Sequence, residues 1–134
     1  MKQKHKKRGR VLLIEDDELN LELVQIVLEG AGFEVLSAPA AAAGIDIARK
    51  AAPDVILMDV QMPDMDGLDA TRILRADPDT ARIPIIAVTA HVKKEDQMRC
   101  LEAGCTLHLS KPVDTRTLPE IVERVIGATA EHVA

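Results

Sequence analysis

Two short apolar runs in this sequence stop abruptly on carboxylates. Val11-Leu-Leu-Ile14 runs into Glu15, Asp16, Asp17 and Glu18, and Val55-Ile-Leu-Met58 runs into Asp59. Two further runs end on a hydroxyl and an amine: Ile83 to Val88 is followed by Thr89, and Thr106 to Leu109 by Ser110, Lys111 and Pro112. Runs this short suit strands buried on both faces rather than helices. In an open parallel α/β sheet, ligands sit beyond the carboxyl ends of the strands. Carboxylates, hydroxyl and ammonium therefore share one mouth. Three carboxylates converging there repel one another and need a cation. An all-oxygen set without thiol or imidazole suits Mg²⁺. Lysine offers a point charge to a phosphoryl oxygen, and threonine offers a hydroxyl donor. Metal seat, nucleophile, charge clamp and donor are the parts needed for phosphoryl transfer. With a carboxylate nucleophile the product is an aspartyl phosphate, and Asp59 is the first choice for it.

The intervening sequence supplies the elements that would hold these groups. Leu19, Leu23, Ile26 and Val27 recur at helical spacing, closed by Gly30 and Gly32. Phe33 to Ser37 reads as a second strand, and Ala40 to Ala51 as an alanine-rich helix stopped by Pro53. Asp66-Gly67 opens a helix that ends near Asp77-Pro78, and Pro84 falls at the start of the fourth strand, where a missing N–H does least harm. Lys93 to Ala103 suits a helix with Met98, Cys100 and Leu101 inward, ended by Gly104. Thr115 to Ile126 places Leu118, Ile121, Val122 and Val125 on one helical face. Strands alternating with helices imply a parallel sheet layered on both sides by right-handed crossovers. The expected fold is a flavodoxin-like (βα)5 three-layer α/β/α sandwich with strand order 2-1-3-4-5. Glu15, Asp16 and Asp59 then face one another across the crevice between strands one and three.

A chain of 134 residues supports one domain. The expected division is a basic tail over 1–9, a folded unit over 10–127 and a short C-terminal tail over 128–134. Lys2, Lys4, Lys6, Lys7, Arg8 and Arg10 crowd the first ten residues without an acid, so a chain of net charge −5 has a still more acidic body. An acidic body repels nucleic acid. Phe33 is the only aromatic residue, which also excludes a base-stacking platform. No window approaches a membrane span, and the basic start is not followed by a signal-peptide core. Cys100 and Cys105 then read as reduced, packing thiols. The expectation is a soluble cytoplasmic protein.

Val11-Leu-Leu-Ile-Glu-Asp-Asp-Glu-Leu-Asn20, Leu57-Met-Asp-Val-Gln-Met-Pro-Asp-Met-Asp-Gly67, Val88-Thr-Ala90 and Leu109-Ser-Lys-Pro112 resemble the receiver domains of two-component response regulators. The resemblance runs from about Arg10 to Ile126 and is nearest to stand-alone receivers of bacterial cell-cycle control and to receivers of hybrid histidine kinases. It implies that Asp59 is the phosphoacceptor and that Glu15 and Asp16 hold magnesium, with the backbone carbonyl of Gln61 as a further ligand. It implies that Thr89 is the switch hydroxyl and Lys111 the lysine of the site, before a cis Pro112. The switch position on strand five, Tyr or Phe in the family, is His108 here; an imidazole can still pass between exposed and buried states. His91 stands two residues past Thr89, where receivers tune phosphoryl lifetime; an exposed histidine leading the next helix is an equal reading of it. The implied partners are a histidine kinase or histidine phosphotransfer protein and a downstream protein bound by the face of helix four, strand five and helix five. The implied chemistry is phosphoryl transfer to the protein itself and slow autodephosphorylation, not enzymatic turnover. Weak homodimerisation is compatible with this reading.

The neighbouring acids have plainer uses. Asp17 and Glu18 suit a helix N-terminus, and Asp64 and Asp66 suit turns and caps. Two rival functions stand beside the receiver reading. A constitutive binding module would leave the full set of site residues unused. A hydrolase with an aspartyl-phosphate intermediate needs a second acid and a cap, for which the chain has no insertion.

Overall fold

The computed structural model describes residues 8–90 and 93–133. Strands β1 (Arg10–Ile14), β2 (Glu34–Ala38), β3 (Val55–Asp59), β4 (Ile85–Thr89) and β5 (Leu107–Ser110) alternate with helices α1 (Glu18–Gly30), α2 (Ala41–Ala51), α3 (Gly67–Ala76), α4 (Lys94–Ala103) and α5 (Leu118–Val133). All strand pairs are parallel, and the order is β2-β1-β3-β4-β5, as expected. The central strands are buried on both faces because alternate side chains feed two separate cores. Leu12, Ile14, Ile56, Met58, Ile85 and Ala87 pack against α2, α3 and α4. Val11, Leu13, Val55, Leu57, Ile86 and Val88 pack against α1 and α5, where Leu28, Leu118 and Val122 are fully buried. Each large apolar side chain contributes roughly 1.5–3 kcal/mol of burial.

Two boundaries and two helix faces differ from the sequence reading. Helix α5 continues to Val133, so residues 128–133 extend the helix instead of forming a separate tail. Nothing after Ile126 breaks it: Gly127 is single, and a lone helical glycine is tolerated. At the other end, residues 1–7 of the expected basic tail lie outside the described residues, but Arg8 and Gly9 belong to the fold. The Arg8 N–H donates to the Gly32 carbonyl (2.9 Å), its guanidinium donates to the Ala31 carbonyl (2.8 Å) and stacks 4.8 Å from the Phe33 ring centroid, and it pairs with Glu123 of α5. A basic run carries no sequence sign that its last members dock. On α4, only Cys100 and Ala103 are buried, while Met98 and Leu101, expected inward, are exposed. On α1, Val24 and Leu28 face the core, and Leu19, Leu23 and Ile26 form an exposed stripe.

Candidate functional site

The site is assembled at the carboxyl edge of the sheet by register. Ile14 lies opposite Met58, so Glu15 and Asp16, which follow β1, emerge beside Asp59 at the end of β3. Asp59 lies opposite Val88, one residue short of Thr89, and Thr89 lies opposite Ser110, one residue short of Lys111. Each functional group is thus the first or second residue past a strand's apolar stretch, and the strands fix its height. One carboxylate oxygen from each of Glu15, Asp16 and Asp59 falls within 4.8 Å of the others. Glu15 and Asp59 are buried and Asp16 is exposed, so the cluster is open on one side.

Lys111 closes the other side: its Nζ donates to Asp59 Oδ2 at 2.9 Å. The second oxygen, Oδ1, accepts the backbone N–H of Gln61 at 3.0 Å. Lys111 is itself tied to the sheet by its backbone N–H, which donates to the Thr89 carbonyl at 2.9 Å, and the bond to Pro112 is cis. Burial pulls the Lys111 ammonium down, but the hydrogen bond to Asp59 and the charges of Asp59, Glu15 and Asp16 outweigh it, so its pKa is raised. Glu15 behaves in the opposite sense to a paired acid. Burial, aided by the charge of Asp59, pushes its carboxyl up from 4.5 to about 7, against the Asp17 N–H that donates to it at 3.1 Å. One ammonium does not neutralise three carboxylates in a buried setting. A donor set made only of oxygens, with excess negative charge, fits a hard divalent cation and suits magnesium.

Gly67 shapes the loop between Asp59 and α3. A Cβ there would stand 2.7 Å from the Val60 Cα and 2.8 Å from the Asp59 carbonyl oxygen, contacts with backbone that no rotamer relieves. Its N–H donates to the Val60 carbonyl at 2.8 Å, folding the loop back onto the strand end. Asp66 caps α3 through the Leu68 N–H (2.8 Å), and Asp64 reaches across to the Ala41 and Ala42 amides of α2 (3.1 and 3.0 Å). Asp17 caps α1 through the Leu19 and Asn20 amides (3.0 and 3.3 Å). These three acids are structural, as their sequence positions indicated.

The other residues singled out in the sequence divide. Thr89 is buried at the strand end, and half-buried His108 lies opposite Ala87, whose side chain faces α4. His91 lies outside the described residues. Cys100 and Cys105 are both buried free thiols, with pKa values raised by burial, to about 11 for Cys105. Inert packing follows from that setting. Sequence reasoning missed Gly67 as a steric requirement; its only signal was its place after Asp66 at a helix start.

Residues 11–123 match the response regulator receiver domain, and the chain belongs to that family, whose role is phosphorylation-dependent signalling. The polar-differentiation response regulator DivK of Brucella ovis is 37% identical over 117 residues, covering 87% of this chain and 95% of that protein. Among solved structures, the receiver domain of a sensor histidine kinase from Pseudomonas aeruginosa PAO1 is 35% identical with a TM-score of 0.82, covering 89% of this chain and 98% of that one. That structure has a magnesium ion coordinated in its active site cleft. The chemotaxis response regulator CheY4 of Vibrio cholerae is 31% identical with a TM-score of 0.82, covering 87% and 98% of the two chains. Among the described residues, no helix is long and apolar enough to cross a membrane.

Proposed function

We propose that this chain accepts a phosphoryl group on Asp59 from the phosphohistidine of a histidine kinase or phosphotransfer protein, and passes the signal on through changed protein contacts or onward transfer. The observation that carries this reading is the convergence on Asp59 of two further carboxylates and of Lys111, whose ammonium lies 2.9 Å from Asp59 Oδ2. Glu15, Asp16 and Asp59, with the Gln61 carbonyl, hold magnesium, which when bound offsets the charge on the phosphoryl oxygens. A carboxylate oxygen of Asp59 attacks phosphorus as the P–N bond breaks, and that electron pair returns to the donor's imidazole nitrogen. Lys111 then exchanges its Asp59 oxygen for a phosphoryl oxygen, which it reaches from the same side.

Thr89 supplies the second hydrogen bond to the phosphoryl group. Moving its hydroxyl toward Asp59 draws in the residues after β4 and biases His108, which sits beside Ala87 on the α4 side of the sheet. The readout is a remodelled α4–β5–α5 face, where Met98 and Leu101 already offer exposed apolar surface to a protein partner. The chemistry ends on the protein's own side chain, so the role is signalling, with autodephosphorylation the only hydrolysis. Incubation with acetyl phosphate and magnesium is expected to label the wild type and leave Asp59→Asn unlabelled. Undiminished labelling of Asp59→Asn overturns the assignment.

A further inference from the structure

Phosphoryl transfer to Asp59 needs room for the donor's leaving group, and two hollows adjoin the mouth. On the α4 side lies a cleft of about 300 Å³ that carries Asp66, Asp96 and Arg99. Its acids are already engaged: Asp66 accepts the Leu68 N–H at 2.8 Å, and Asp96 pairs with Arg99 at 3.5 Å. On the other side a groove of about 280 Å³ runs between α1 and the segment that joins β5 to α5. Leu23 and Val24 of α1 line one bank of it, and Pro112 and Val113 line the other. Glu15 and Lys111 belong both to this groove and to the cluster around Asp59, so the groove begins where the phosphoryl group changes hands.

The leaving group of a phosphohistidine donor is an imidazole. Its ring faces are apolar, and its distal nitrogen has to carry a proton if the ring is to depart neutral when the P–N bond breaks. A fitting seat has apolar walls and a hydrogen-bond acceptor placed among them. Within the groove, Glu15 and Lys111 are taken by the metal and the phosphoryl group, which leaves Asn20 and Thr115 as polar side chains. Asn20 lies in the first turn of α1, close behind Glu15. Its backbone N–H donates to Asp17 at 3.3 Å, while its exposed side chain makes no hydrogen bond among the described residues. A carboxamide oxygen offers two lone pairs and brings no further charge to an acidic mouth.

We propose that this groove seats the donor's imidazole and that the Asn20 carboxamide oxygen accepts the N–H of its distal nitrogen. The inference rests on the reading of Asp59 as phosphoacceptor and adds a residue that selects an imidazole donor over an acyl phosphate. A carboxylate oxygen of Asp59 bonds to phosphorus, the P–N electron pair returns to the proximal nitrogen, and the distal proton stays on the ring, which leaves neutral. By holding that proton in place, Asn20 favours the ring's departure. Acetyl phosphate releases acetate, which has no N–H to offer, so the same oxygen does nothing for it. A site that hydrogen-bonds a substrate N–H discriminates against a substrate lacking it, and exposure of Asn20 keeps that discrimination modest.

The test compares two small phosphodonors, N-phosphoimidazole and acetyl phosphate, at saturating magnesium. The rate at which the whole chain gains a phosphoryl group is followed by mass spectrometry, and the ratio of the two rates is the readout. Asn20→Leu is expected to lower the phosphoimidazole-to-acetyl phosphate ratio by about fivefold to tenfold, because a hydrogen bond to a charged group is lost. Asn20→Asp retains an acceptor oxygen at the same place and is expected to keep or raise the ratio, even where its charge slows both donors. An unchanged ratio in Asn20→Leu, or one equally low in Asn20→Asp, overturns the assignment of Asn20. So does a ratio that falls in Thr115→Val and not in Asn20→Leu. Failure of both donors to label the wild type overturns the reading of Asp59 and the groove with it.

Discussion

The acids beyond the strand ends form two groups of the same chemistry with opposite fates. Asp17, Asp64 and Asp66 each accept backbone N–H groups at helix starts, and those bonds hold the Asp64 carboxyl below its ordinary range, the Ala42 amide contributing most and the Ala41 amide next. Glu15, Asp16 and Asp59 instead face one another, and burial pushes Glu15 up to about 7. Amide dipoles satisfy an acid locally, whereas other carboxylates leave it in need of a cation. A motif rich in aspartate is therefore not evenly built: the acids held only by backbone amides fix the helix starts, whereas Glu15 and Asp59, though each also accepts one backbone N–H, face each other and Asp16 and keep excess negative charge.

Replacing Glu15 tests the unsatisfied group with the larger effect. Glu15→Gln is expected to weaken magnesium binding by about tenfold or more, measured by calorimetry, because one charged ligand is lost. Its effect on the metal-free fold has the other sign. The folded carboxyl titrates near 7 and the unfolded one near 4.5, so the native state binds the extra proton between those values. Stability from this group is fully present below the unfolded pKa and is lost as pH rises through about 7. Without magnesium, the melting temperature of Glu15→Gln is therefore expected to gain on the wild type as pH rises across that window. A variant that loses stability there contradicts the account of Glu15 as a buried, uncompensated charge.

Asp64→Ala tests the satisfied group and is expected to do less. It removes two amide bonds at the start of α2, lowering the melting temperature modestly and leaving magnesium affinity unchanged. Its folded pKa lies below the unfolded 3.8, so its contribution is present above that value and is lost as pH falls through the depressed one. The gap between wild type and variant should close only at strongly acidic pH. Loss of magnesium binding in Asp64→Ala would erase the distinction between the two groups.

Much of this was readable from the sequence because the sheet is covered on both sides. Short continuous apolar runs suit strands when both faces are buried, and the polar residue that ends each run marks the strand's mouth. Those runs pointed to Glu15, Asp16, Asp59, Thr89 and Lys111. Sequence pattern failed where a residue's role depends on what lies across from it. Met98 and Leu101 looked inward-facing, but the buried residues of α4 are confined to its last turn, and these two side chains meet solvent. Leu19, Leu23 and Ile26 have core-like spacing on the exposed side of α1. Arg8 and Arg75 gave no signal because a cation that binds backbone carbonyls has no partner motif in the sequence.

The most direct test of the central claim is to find the modified atom. After incubation with acetyl phosphate and magnesium, borohydride reduces an acyl phosphate to the alcohol, converting a phosphorylated aspartate to homoserine for peptide mass spectrometry. Conversion is expected at Asp59 and not at Asp16, Asp17, Asp64 or Asp66, and it should vanish when magnesium is chelated. Conversion at one of the backbone-satisfied acids, or none at Asp59 in magnesium, would contradict the account.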